Sequence, residues 1–92
     1  MQINLYATFR LIAGCKSLTL DMPAGTTLRA AINEILRQIP NLRPHWVNEQ
    51  GEIHAHVHAF INGQEASTLE GGWDAPLQAE DVLDFFPPVA GG

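Results

Sequence analysis

Asp81-Val82-Leu83-Asp84-Phe85-Phe86-Pro87-Pro88-Val89-Ala90-Gly91-Gly92 is the stretch that organises the chain. Val82 to Phe86 is apolar and β-favouring, interrupted only by Asp84, which predicts a short strand. A charged Asp84 faces water. On a pleated strand Leu83 and Phe85 then fill the core, and Phe86, two residues on, looks out with Asp84. Pro87 and Pro88 lack the N–H that a ladder needs, so the strand stops there. Two successive prolines favour an extended, polyproline-like path that leads away from the body. Gly91 and Gly92 have no Cβ and can enter a channel too narrow for any other residue. Residues 1–86 therefore read as one folded domain and 87–92 as an extended tail. That tail presents the carboxylate of Gly92 as the reactive group.

The rest of the chain supplies the body. Gln2 to Arg10 alternates, with Ile3, Leu5, Ala7 and Phe9 on one side and Tyr6 among the polar residues on the other, which predicts a strand with one buried face. Ala13-Gly14 is a turn signal, and Lys16 to Met22 alternates again, so the two runs read as an N-terminal β-hairpin. Thr26 or Thr27 can cap a helix. Leu28, Ile32, Ile35, Leu36 and Ile39 recur at helical spacing, opposite Arg29, Asn33 and Arg37, and Pro40 ends the helix. Leu42, Trp46 and Val47 predict a helical turn that buries the indole, followed by a turn at Asn48-Glu49-Gln50-Gly51. Ile53 to Ile61 reads as a third strand, Asn62-Gly63 as a tight hairpin turn, and Gln64 to Ser67 as a short return strand. A loop pinned by Trp73 and Leu77 leads to the turn at Ala79-Glu80-Asp81. The class is α+β: a mixed sheet with one main helix packed on one face.

Composition sets bounds on function. Ninety-two residues, 46% of them hydrophobic, make one small domain with a modest core. Ten acidic residues against five basic ones give a net charge of -5, which argues against nucleic acid or an anionic membrane as partner and favours a basic protein surface. The single Cys15 forms no internal disulfide and fits a reducing compartment. No apolar run approaches the roughly 20 residues that span a bilayer. No secretory signal is evident, so the expected location is the cytoplasm.

The acidic turn, apolar strand, Pro-Pro and Gly-Gly in register resemble the tail of the MoaD/ThiS family of ubiquitin-like sulfur carriers. Within it the likeness is to the small subunit of molybdopterin synthase. The resemblance implies a β-grasp (ubiquitin-like) roll with the first and last strands side by side. It also implies that Gly92 is adenylated by an E1-like enzyme and converted to a thiocarboxylate by a sulfurtransferase. The thiocarboxylate then donates its sulfur in the large subunit of molybdopterin synthase or in another sulfur-accepting enzyme. The chain has no phosphate-binding glycine loop, so ATP belongs to the activating partner, and the chain itself carries no cofactor and no catalytic machinery. Gly91 and Gly92 are the reacting end. Tyr6, Phe86, Pro87, Pro88, Val89 and Ala90 match partner-contacting positions. Residues 41–52 are longer than in molybdopterin synthase small subunits. A carrier for cysteine, thiamin or a sulfur-containing metabolite, or a modifier ligated to lysines, remains open.

Two other features could carry chemistry. On a strand, His54, His56 and His58 share one face at roughly 6.8 Å spacing, twice the rise per residue, and imidazoles so placed could bind a transition metal. The sequence offers no clear further ligand or second shell, and the row reads as a solvent-facing stripe above buried Ala55, Val57, Ala59 and Ile61. Cys15 sits beside Lys16, whose ammonium could lower a thiol pKa. No resolving cysteine or His-Asp partner is evident, and a structural cysteine is the simpler reading.

Overall fold

The structure is a computed structural model and describes residues 1–88. The strands are β1 (Gln2–Leu5), β2 (Ser17–Thr19), β3 (His58–Ile61), β4 (Gln64–Glu65) and β5 (Val82–Phe86). The helices are α1 (Thr8–Ala13), α2 (Leu28–Gln38) and α3 (Arg43–Trp46), with 3-10 turns at Pro40–Leu42, Ala66–Thr68 and Gly72–Asp74. The five strands form one sheet in the order β2-β1-β5-β3-β4. β5 lies at the centre, parallel to β1 and antiparallel to β3. This is the β-grasp, ubiquitin-like fold, and the expected adjacency of first and last strands holds.

The main helix forms where its apolar spacing requires. Thr27 accepts a hydrogen bond from the backbone N–H of Ala30 and so caps α2. Leu28, Ala31, Ile32, Ile35 and Leu36 are buried against the sheet, while Arg29, Asn33 and Arg37 are exposed. The helix ends at Gln38, before Pro40. Alternation on the strands supplies the other half of the core: Ile3, Leu5, Leu83 and Phe85 have no exposed surface. Trp46, delivered by α3, closes one end of that layer. Its ring stacks on Phe85 at 4.6 Å and meets the edge of Phe9 at 5.5 Å. Asn62 and Gly63 both adopt positive φ, as a two-residue hairpin requires, and join β3 to β4.

Several expectations need correction. First, the strand predicted over Gln2 to Arg10 stops at Leu5. Ala7 takes φ 52° and ψ -129°, and α1 begins at Thr8. Phe9 stays buried, as alternation predicted, but from a helix. Secondly, β1 and β2 do pair antiparallel, Ile3 opposite Leu18, yet α1 lies between them, so they are not a tight hairpin. Gly14 is the left-handed cap of that helix.

Thirdly, the strand predicted over Ile53 to Ile61 is confined to its last four residues. Ile53 makes an isolated bridge to Val47, the His54 N–H donates to the Trp46 carbonyl, and the Val57 N–H closes a turn on His54. The cause lies in β5. His58 is opposite Phe86, the last residue of β5, and Pro87 and Pro88 offer no N–H to pair with anything earlier in the β3 segment. Ala55, expected in the core, is exposed as a result. The predicted return strand over Gln64 to Ser67 is likewise shorter, because Ala66 starts a 3-10 turn.

Candidate functional site

The candidate face is built by the alternation that builds the core. Residues on the outer side of the sheet fall into one row across all five strands: Ser17 opposite Asn4, Asn4 opposite Asp84, Asp84 opposite Phe60, Phe60 opposite Glu65. Asp84 lies at its centre. One carboxylate oxygen accepts the Asn4 side-chain amide at 2.9 Å and the Tyr6 hydroxyl at 3.1 Å. Partial burial, and then the hydrogen bond to Asp84 and its negative charge, raise the Tyr6 phenol above its ordinary value of 10.0, with Arg10 acting in the opposite sense.

Held in that way, Tyr6 is a fixed platform. Its ring stacks on Phe86 with centroids 4.3 Å apart and planes within 9°. Phe60 meets the same Phe86 edge-on at 5.4 Å. The sequence places Tyr6 and Phe86 together as an exposed patch, and the structure does bring them together. Phe86 is half-buried rather than fully exposed because Tyr6 covers one face of its ring. Phe60 was not foreseen. Its signal was present: it is two residues from His58 and faces the same way. Pro87, half-buried, and exposed Pro88 continue directly from this cluster. Val89, Ala90, Gly91 and Gly92 lie outside the described residues.

Two pockets are present among the described residues, and Tyr6 lines the smaller of them. One, of about 120 Å³, is lined by Asn4, Tyr6, Arg10, Lys16 and Ser17. The other, of about 280 Å³, includes Val57, His58, Glu65, Ser67 and Trp73. His58 Nδ1 lies 3.4 Å from a Glu65 carboxylate oxygen. The histidine row does not exist as a strand face. His54 and His56 stack ring on ring at 4.8 Å in the turn, and only His58 is on β3. Among the described residues no group of three or more His, Cys, Asp or Glu side chains is placed to hold a metal ion. Cys15 is a free, half-buried thiol that packs against the core.

The model of the ThiS family matches residues 3–92. The chain belongs to that family. Small archaeal modifier protein 3 of Haloferax volcanii is 32% identical over 92 residues, all of this chain and 98% of its relative. The molybdopterin synthase sulfur carrier subunit of Arabidopsis thaliana is 29% identical over the same 92 residues, 82% of that protein. The crystal structure of small archaeal modifier protein 1 from Haloferax volcanii superimposes with a TM-score of 0.87 at 25% identity, covering 99% of this chain and 97% of that one. As a ThiS-family protein the chain is a ubiquitin-like carrier or modifier. No helix among the described residues is long and apolar enough to cross a membrane.

Proposed function

We propose that this ThiS-family chain is a sulfur carrier that works through the carboxylate of Gly92. The observation that carries the reading is the family match, which runs through Gly91 and Gly92. The aromatic cluster at the root of Pro87 supports it. An E1-like enzyme docks on that cluster and adenylates Gly92: a carboxylate oxygen attacks the α-phosphorus of ATP and pyrophosphate leaves. Sulfide then attacks the acyl carbon, AMP leaves, and a thiocarboxylate remains. Where the donor is an enzyme persulfide, its outer sulfur attacks and AMP leaves, giving an acyl disulfide. A second thiol then attacks the donor's inner sulfur, so that the S–S bond breaks, the thiocarboxylate departs and the donor is left as a disulfide. The thiocarboxylate is a soft anionic nucleophile, and the glycine pair carries it into the accepting enzyme without a side chain in the way. The chain supplies the reacting end and the docking surface, while the partners supply ATP, sulfur and catalysis. The acceptor is the large subunit of molybdopterin synthase, a reading supported by the Arabidopsis relative.

The modifier relative favours a second reading, in which the activated Gly92 acylates a lysine amine on a target protein. Intact-mass measurement separates the two. Incubation with an E1-like enzyme, ATP and a loaded sulfurtransferase is expected to add the mass difference between sulfur and oxygen to the free chain. Conjugates of higher mass carrying Gly92 on target lysines, with no sulfur gained, would establish the modifier reading instead. A protein lacking Gly91 and Gly92 is expected to do neither.

A further inference from the structure

The chain holds ten acidic side chains and five cationic ones, so each cation has acids to spare. Arg29 pairs with Asp74 at 3.0 Å and Arg37 with Glu34 at 2.6 Å. Among the described residues Arg10, Lys16 and Arg43 are in no ion pair, and of these three Arg10 and Lys16 line one pocket together. Both are exposed. Arg10 spends its Nε–H on the Leu5 carbonyl, which fixes the guanidinium over the Tyr6 ring at 5.8 Å. The Tyr6 hydroxyl and Asn4 amide, which could have neutralised nothing, are turned away toward Asp84. Two like charges side by side in a protein of opposite net charge repel each other and attract an anion.

The surroundings say which anion. A pocket of about 120 Å³ falls below the several hundred Å³ that cofactors and nucleotides occupy. It has room for the end of one side chain. It opens on the outer row, next to the Tyr6–Phe86 stack. The outer face is polarised: Arg10 and Lys16 lie at the β2–β1 end and Glu65 at the β4 end, with the aromatic rings and the hydrogen-bonded Asp84 carboxylate between them. A partner that covers the rings can meet this polarity in only one orientation.

We propose that the Arg10–Lys16 pocket receives an acidic side chain of the activating enzyme. This contact orients the docked chain so that the tail leaves the Phe86 end toward the nucleotide. The proposal rests on the carrier reading, since it assigns the contact to that reaction. In it the aromatic cluster supplies contact area, and the charge pair supplies direction and encounter rate.

The test uses the whole chain and Lys16→Glu, with Arg43→Glu as a matched charge change at an exposed residue that does not line the pocket. The first measurement is a nuclear magnetic resonance titration with acetate as a stand-in for the carboxylate. Shifts confined to Asn4, Tyr6, Arg10, Lys16 and Ser17, and lost in Lys16→Glu, are expected. Shifts spread equally over Arg29, Arg37 and Arg43 would overturn the pocket. The second measurement is ATP–pyrophosphate exchange by the E1-like enzyme. Lys16→Glu is expected to raise the KM for the chain about ten-fold or more with kcat nearly unchanged and to flatten its salt dependence, while Arg43→Glu leaves KM within about two-fold. Equal effects of the two variants, or none from Lys16→Glu, would overturn the docking claim and leave the carrier reading intact. Absence of exchange even with the unaltered chain would overturn the carrier reading and the docking claim together.

Discussion

Phe85 and Phe86 are neighbours of one residue type, and they do opposite work. Phe85 has no exposed surface and stacks on Trp46 in the core. Phe86 lies on the outer face between Tyr6 and Phe60. The same division runs through the end of β1, where Leu5 is buried and the next residue, Tyr6, is half-buried. The inner face of the sheet is held by its fit to α2, so its residues are constrained by volume. The outer face is held by one carboxylate and three aromatic rings, two stacked and one edge-on. Its residues can therefore be changed for recognition at little cost to the fold.

The sharpest way to break this comparison is Phe85→Ala, expected to cost about 3–5 kcal/mol, as for other buried aromatics truncated in a packed core. Thermal and denaturant melts read it directly. Ile35→Ala on α2 comes next at about 2–4 kcal/mol. A loss under about 1 kcal/mol, the range of surface changes, would mean that the helix does not close the core. Phe86→Ala is expected to cost about 0.5–1.5 kcal/mol of stability, the worth of an aromatic pair. Its binding to the E1-like enzyme should fall by far more, since a ring seated in a partner's pocket can be worth about 2 kcal/mol or more. If Phe86→Ala unfolds the domain while Phe85→Ala only weakens binding, the two faces have been assigned the wrong way round.

The smallest effect lies away from both faces. Arg37 and Gln38 hydrogen-bond the Glu34 carboxylate and hold its pKa down to about 2 from 4.5. A carboxyl depressed in the folded state adds stability above its unfolded pKa and loses it as pH falls. The extra acid sensitivity therefore falls between about pH 4.5 and 2 and should vanish in Glu34→Gln. Because the pair lies at the surface, with Arg37 exposed and Glu34 half-buried, the difference between the two melting curves should be slight and should shrink in salt.

How much of this was legible beforehand follows from the same contrast. β5, α2, a threonine cap at Thr26 or Thr27 and the Asn62-Gly63 turn each rest on a residue with a strong local preference, and all are present, with Thr27 as the cap. The outer Tyr6–Phe86 contact could be read because Asp84 fixes the phase of its strand. Errors arose where alternation continued past a backbone break that no side chain announces. Ala7 adopts a positive φ without being glycine, and Phe9 happens to keep the strand's phase from a helix. At the third strand the limit is set by a partner distant in sequence: Pro87 and Pro88 withdraw the pairing that Val57 and His56 would have needed. The Arg10–Lys16 pocket was hidden for the same reason, since Arg10 reaches it only after the turn at Ala7.

The central position of β5 bears on how the chain withstands traction. A partner that draws in the tail pulls along the axis of β5, which is laced to β1 on one side and β3 on the other through four register pairs each. Force along a strand loads its cross-strand bonds in shear, and they must yield together, whereas force across an edge strand unzips them one at a time. Gln2, at the start of β1, sits beside Val82, at the start of β5, so tension between the chain's beginning and its tail also falls on this parallel pair. The domain is thus anchored against being peeled open by the act of delivering its own end.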